Sequence, residues 1–236
     1  MKIIFVLSFF LLTLFAHANR PKSVKIAISH FPPFVDKEHK DLGLFPHYIR
    51  AFLESNNISS EFIFLPYSRA LDYLKKDNQI DLFLVGQTSL NGLNSNNKIM
   101  RSHKFFSTEN CAYYSTEKFR QGPNINKIIQ LRTFRIVSLV KNPVNQLMDH
   151  HKIKYKNITN VESTIKMILS NRADLLINSK TIIDFYLKKL NLEDKVKCSY
   201  VLHREDVILA TSHPEKHAML LKKFNEYILK TPLNKQ

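Results

Sequence analysis

The sequence predicts an α/β fold in two similar lobes, each a mostly parallel sheet flanked by helices. Three observations carry this. Short apolar runs of strand character alternate along the chain with stretches whose apolar residues recur at three and four, the helical spacing. The order helix, polar break, Ile80-Asp81-Leu82-Phe83-Leu84 returns as helix, polar break, Ala173-Asp174-Leu175-Leu176-Ile177. The 236 residues are 44% hydrophobic and 23% charged with only 4 Gly, which excludes disordered and collagen-like chains and leaves one large or two small domains.

The first segment stands apart. Lys2, the apolar run Ile3 to Phe15 and then Ala16-His17-Ala18 form the pattern of a secretory signal peptide cleaved after Ala18. The run falls short of the roughly 20 apolar residues that a spanning helix needs. No Cys near the cleavage point offers a lipid attachment. The expected product starts at Asn19 and is periplasmic. Export places Cys111 and Cys198 in an oxidising compartment, where an even pair fits a disulfide and equally fits two small buried side chains.

Val24 to Ile28 alternates as a first strand, and Phe31-Pro32-Pro33-Phe34 stops it as a stiff loop. Gly43 precedes a helix whose Tyr48, Ile49, Phe52 and Leu53 share a face. Glu61 to Leu65 is a second strand, and Ser68 is read as the N-cap of a helix carrying Leu71 and Leu74. Asp81 to Gly86 is a buried strand by its continuous apolar run. A polar loop follows from Gln87 to Asn97, then a strand-like run from Cys111 to Tyr114. The pattern then repeats: a strand over Phe134 to Val140, a helix opened by Asn142-Pro143, a short strand over Tyr155 to Ile158. Thr159 and Glu162 fit a capping box before a helix with Val161, Ile165, Ile168 and Leu169 on one face. Ala173 to Ile177 is a buried strand, Asp206 to Thr211 another, and His213-Pro214 opens a last helix with Leu220, Leu221, Phe224 and Ile228 inward.

Lys and Arg number 35 against 20 Asp and Glu, a net charge of +15. Such a balance favours acidic partners in general: nucleic acid, an anionic membrane surface or an anionic solute. The densest groups, Lys152-Ile153-Lys154-Tyr155-Lys156 and Lys195-Val196-Lys197, alternate with apolar residues as the solvent face of a strand does, and no nucleic-acid motif accompanies them. Nucleic acid is therefore not an expected partner. The doublet His150-His151 is a poor chelate, because adjacent helical residues do not share a face; no metal and no cofactor is expected.

The layout resembles the type II periplasmic solute-binding proteins, and in particular extracellular solute-binding protein family 3, which serves amino-acid-type importers. The resemblance covers the chain after the signal peptide. It rests on ordered blocks: Ile26 to Phe34, Pro66-Tyr67-Ser68-Arg69-Ala70, Ile80-Asp81-Leu82, Lys104-Phe105-Phe106-Ser107, Asn171-Arg172-Ala173-Asp174-Leu175 and Leu209 to Pro214. It implies two lobes joined by two crossover strands, residues 19–110 plus 206–236 forming one and 111–205 the other, with a ligand between them and hinge closure around it.

In open α/β sheets a ligand crevice lies beyond the C-terminal strand ends, so the site candidates come from those loops. Phe34 is placed to hold a ring against a ligand or to plug an apolar gap. Tyr67 and Arg69 follow the second strand, where Arg69 can clamp a carboxylate or pair with an acid. Gln87, Thr88 and Ser89 follow Gly86, Asn142 precedes a helix, and Asn178 ends a strand of the second lobe. Members that bind amino acids carry an Arg soon after the third strand's Ser/Thr loop; Thr88 to Asn97 has none, and Arg101 is the nearest. The family's acid for the α-amino group is also missing until Asp184.

The reading that follows is a non-catalytic periplasmic binding protein, a monomer, capturing a small polar, amino-acid-like or anionic solute for a membrane permease or a sensor. Phe34, Tyr67 and Gln87 are expected to share one pocket. The alternatives are a periplasmic dehydratase or hydrolase on the same fold, and an envelope-interaction domain without a small ligand. No nucleophile elbow, zinc-protease motif, P-loop or dinucleotide fingerprint supports the enzyme.

Overall fold

β1 (Lys22–Ile28) is the first strand of a computed structural model that describes residues 22–76, 79–90, 99–140 and 142–233. The signal-peptide reading of residues 1–18 lies outside them, as do residues 91–97 of the polar loop. β1 pairs in parallel with β2 (Ile58–Phe64) on one side and β3 (Leu82–Gly86) on the other. Between them run α1 (Leu44–Glu54) and α2 (Tyr67–Lys76). The second half repeats this: β6 (Ile136–Leu139) lies between β7 (Tyr155–Ile158) and β8 (Leu175–Ser179), all parallel, with α3 (Val144–His150), α4 (Val161–Leu169) and α5 (Lys180–Lys189) beside them.

Two long strands join the halves. β5 (Phe106–Ser115) and β9 (Val196–Thr211) pair with each other antiparallel. β9 then pairs with β3, and β5 with β8. The resulting order is β2-β1-β3-β9-β5-β8-β6-β7, with the two-residue β4 (Met100–Arg101) on β9. Hydrogen bonding therefore runs unbroken from lobe to lobe, and each lobe is three parallel strands plus one antiparallel crossover. The β5–β9 register slips between Asn110 and Cys111 and again between Ala112 and Tyr113, the signature of bulges, which bend and twist a ladder. Cys111 and Cys198 form a disulfide at this point, their Cα atoms 5.9 Å apart.

Both faces of each parallel set are covered, which explains why β3 and β8 read as continuous apolar runs. In lobe 1, Phe45, Tyr48 and Phe52 of α1 pack with Phe224 of the C-terminal α6 (Pro214–Lys230) on one face, and Ala70 and Leu74 of α2 pack with Phe83 and Ile208 on the other. In lobe 2, Ile165, Ile168, Ile183 and Leu187 fill one face and Val144, Met148, Ile136 and Leu175 the opposite one. Each of the Val, Leu, Ile, Met and Phe side chains here contributes roughly 1.5–3 kcal/mol by leaving water.

Two local readings change, and the structure supplies the reason for Gly43 before the first helix. Arg69 and Ala70 both donate their N–H groups to the Pro66 carbonyl, at 2.8 and 3.1 Å, so α2 starts at Tyr67 and Ser68 lies inside the helix. Asn160, not Thr159, caps α4 by accepting from the Ser163 N–H at 2.9 Å; Asn is the stronger N-cap. Gly43 caps α1 at φ 95°, and a Cβ there would stand 2.5 Å from the Phe34 carbonyl oxygen. Only glycine allows that approach, which brings the Phe45 N–H to the same carbonyl at 3.0 Å and ties the Pro-Pro loop to α1.

Candidate functional site

The C-terminal ends of β1, β3, β6 and β8 face one another across the crossover strands and enclose a cavity of about 200 Å³. Lobe 1 supplies Ser29, His30 and Phe31 after β1, Phe45 of α1, Tyr67 of α2 and Leu84 to Gly86 of β3. The crossovers supply Thr108, Asn110, Glu205 and Val207. Lobe 2 supplies Leu139, Val140, Asn142, Pro143, Asn178, Ser179 and Ile182. This is where the strand directions place a ligand crevice in parallel sheets.

The polar groups are held in place by one another. Tyr67 Oη donates to Ser89 Oγ at 2.5 Å, and burial pushes the phenol well above its ordinary pKa. Thr108 Oγ1 lies 2.9 Å from Ser179 Oγ and 3.0 Å from Thr181 Oγ1, linking β5 to lobe 2. Asn178 is almost fully buried. Its Oδ1 accepts from Asn142 Nδ2 at 2.9 Å and from the Ser179 N–H at 2.7 Å, while its Nδ2 has no partner. Glu205 Oε1 accepts from the Thr88 N–H at 2.8 Å. Its Oε2 is buried without a hydrogen bond; His203 Nε2 is 3.5 Å away, an ion-pair contact without hydrogen-bond geometry, and is itself engaged with Thr88 Oγ1 at 2.9 Å. Burial raises the Glu205 pKa, against the Thr88 N–H and hydroxyl and His203, which pull it down.

Of the nine residues singled out from the sequence, Tyr67, Asn142 and Asn178 line the cavity. Ser89 and Thr88 stand behind the wall and position Tyr67 and Glu205. The other four do not join them. Phe34 fills an apolar gap, its ring 4.6 Å from Phe45 and 4.4 Å from Phe106, and Phe31 takes the place on the wall. Gln87 is exposed beyond Gly86, so the pocket expected to unite Phe34, Tyr67 and Gln87 holds only Tyr67. Arg69 is exposed, two residues past Tyr67 and hence on another side of α2. Arg101 is exposed on β4 and reaches the Leu90 carbonyl at 3.3 Å. Arg69, Arg101 and Thr88 thus do not converge on a carboxylate site.

The sequence reading passed over Glu205, Thr108 and Asn110, and from the loop Ser29 to Phe34 at the end of β1 it singled out Phe34 where Ser29 and Phe31 line the cavity. Glu205 shares the parity of Val207 and Leu209, both on the inward face. Extending the Asp206–Thr211 strand by one residue would have put it there. Among the described residues, no group of three or more His, Cys, Asp or Glu side chains is placed to hold a metal ion, and no helix is long and apolar enough to cross a membrane.

No protein-family model and no curated protein sequence matches the chain. Solved structures do. The GluR0 ligand-binding core from Nostoc punctiforme, in complex with L-glutamate, superposes with a TM-score of 0.68 at 17% identity over 89% of this chain and 93% of its own. An ancestral arginine-binding protein bound to arginine gives 0.68 at 16% identity over 92% and 97%. A histidine kinase sensor domain with similarity to periplasmic binding proteins gives 0.70 at 13% identity over 90% and 92%. The fold is therefore that of the two-lobed type II periplasmic binding proteins, as the sequence resemblance implies.

Proposed function

We propose that the protein is an exported binding protein that captures a small polar solute between its lobes and presents it to a membrane partner, a permease or a sensor. The observation that carries this is the cavity: both lobes and both crossover strands contribute to its wall, and two of its buried polar atoms lack hydrogen-bond partners. A ligand that touches both lobes only when they are closed stabilises closure by that differential contact. The signal-peptide pattern at residues 1–18 supports a periplasmic location. Neighbours of the same fold bound to L-glutamate and to arginine support solute capture, and the histidine kinase sensor domain supports signalling as an alternative output to import. We place the lobe divisions near Asn110 and Asp206, where β5 and β9 pass between the half-sheets.

The test is isothermal titration of the purified chain against a broad metabolite panel, with small-angle scattering to follow compaction. A saturable binder that reduces the radius of gyration is expected. No binder and no compaction across the panel overturns capture.

A further inference from the structure

We propose that the captured ligand is a small organic amine without a free carboxylate or phosphate, its protonated nitrogen on Glu205 and a hydrogen-bond acceptor on Asn178. This rests on the capture reading and narrows it to a chemical class. Asn178 is 2% exposed and Glu205 5% exposed, and both open onto the cavity. Each leaves one atom without a hydrogen bond, a donor at Asn178 Nδ2 and an acceptor at Glu205 Oε2, whose charged neighbour His203 Nε2 stands 3.5 Å away outside hydrogen-bond geometry. The Ser179 N–H on Oδ1 fixes which end of the amide is the donor. A buried polar group left unpaired costs about 1–3 kcal/mol, and a charged one more. One ligand carrying a cationic nitrogen and an acceptor satisfies both.

The rest of the wall excludes an anion. Among the described residues no Lys or Arg lines the cavity, despite the chain's net charge of +15. Its ionisable side chains are Glu205, Tyr67 and the exposed His30, which stands 3.9 Å from Asp36. Arg204, which is exposed, and Asp206 flank Glu205 on β9, and His203 Nε2 stands 3.5 Å from its Oε2. A ligand carboxylate would therefore enter a site whose two buried ionisable groups, Glu205 and Tyr67, are both acids and whose wall carries no Lys or Arg to meet it. α5 opens at Lys180 beside the cavity, but its N-terminal dipole amounts to about half a charge, enough for a neutral acceptor and weaker than the missing guanidinium. Phe31, Phe45, Leu84, Val140, Ile182 and Val207 offer apolar surface for a hydrocarbon body. The volume, about 200 Å³, is below the roughly 300–1,000 Å³ of sites for drug-sized ligands.

Matched pairs test this: tyramine against L-tyrosine, isoamylamine against L-leucine, histamine against L-histidine, each titrated calorimetrically into the chain lacking residues 1–18. At least one amine should bind ten times or more tighter than its amino acid. Glu205→Gln, which keeps the oxygen facing Thr88, should erase that advantage. Asn178→Ala should weaken the amine tenfold and serves alone if the Gln variant does not fold. Amino acids winning in the pairs, an amine advantage that survives Glu205→Gln, or a tight binder without an amine overturns the amine assignment and leaves capture standing. No binder in the pairs or the wider panel, and no compaction, removes capture and the amine together.

Discussion

Asp81 and Asp174 make the same pair of backbone contacts in the two lobes. Asp81 donates its N–H to the Lys25 carbonyl at 2.8 Å and accepts the Lys25 N–H on Oδ2 at 2.8 Å. Asp174 does this with Arg135, at 2.7 and 2.7 Å. Each therefore pins the strand that enters its lobe's third position to the central strand beside it, β3 to β1 and β8 to β6. The partners of the remaining carboxylate oxygen differ: His217 Nε2 at 3.1 Å from Asp81 Oδ1, and the Lys118 ammonium with the Arg135 guanidinium on Asp174.

Asp174→Asn should accordingly destabilise lobe 2. Burial pushes the Asp174 carboxyl up, but the Arg135 and Lys118 side chains and the Arg135 N–H outweigh it and hold the pKa well below the usual carboxylate range. A depressed folded pKa gives stability that is present above the unfolded value, about 3.9, and is lost as pH falls through the folded one. Urea unfolding at pH 7 should show a loss of about 1.5–3 kcal/mol, the range for hydrogen bonds to charged groups. The gap between variant and wild type should close below about pH 4. A constant gap from pH 7 to pH 3 would remove the electrostatic account.

The paired Asp motif was legible in the sequence because it sits at the mouth of strands buried on both faces, whose apolar runs are unambiguous. The parallel strands, the flanking helices and the two-lobe order were legible for the same reason. The N-terminal half of β9 was not: residues 196–205 are mostly exposed or half-buried, so Lys195 to Lys197 read as a solvent face and the apolar run marks a strand only from Asp206. α5 escaped because it starts at Lys180, directly on the end of β8, with no linker to announce it. The cavity was located correctly at the strand ends, but side-chain direction was not readable there. Arg69 and Arg101 drew attention through their chemistry, yet helix phase and the position of β4 turn both outward. Glu205 lies one residue before the strand read from Asp206 and is the wall's buried carboxylate.

The disulfide should matter more for stability than for binding. It straps β5 to β9 beside the bulges and closes a segment with a sequence separation of 87. Loop-closure entropy sets a ceiling of about 4–5 kcal/mol, with about 2–4 typical. The double variant Cys111→Ala, Cys198→Ala should lose roughly 2–4 kcal/mol in urea unfolding. The native, unreduced protein should take up no iodoacetamide. Quantitative alkylation without reductant would show that the strap is absent in solution.

Glu205→Gln should make the unliganded protein more stable at neutral pH. Burial raises the Glu205 pKa in the fold, so its contribution is fully present below the unfolded value of about 4.3 and is lost as pH rises through the folded one. Glu205 Oε2 is buried without a hydrogen bond, with His203 Nε2 3.5 Å away, so a negative charge on the side chain is incompletely compensated. Replacing it by a neutral amide should add about 1 kcal/mol, or about 2–4 °C in Tm for a chain of this size. The gain should shrink toward pH 4 as the wild-type carboxyl takes up its proton. A lower Tm for the variant at pH 7 would mean that the carboxylate is already well compensated in the empty protein.

Gly86, with Thr88, is where lobe 1 touches that carboxylate. A Cβ there would meet Glu205 Oε1 at 2.8 Å, Cδ at 2.9 Å and Cγ at 3.1 Å, so the strand end must be bare for the side chain to lie against it. Gly86→Ala keeps the backbone of β3 and pushes Glu205 away from the Thr88 N–H. Overpacking of this kind costs about 1–3 kcal/mol. Ligand affinity should drop at least tenfold, since the carboxylate moves off its place on the wall. In a Glu205→Ala background the same substitution meets no obstacle, so its stability cost should vanish. The double-mutant cycle should therefore show a coupling of about 1 kcal/mol or more between the two positions. Additive effects would mean that Gly86 is present for some reason other than room for Glu205.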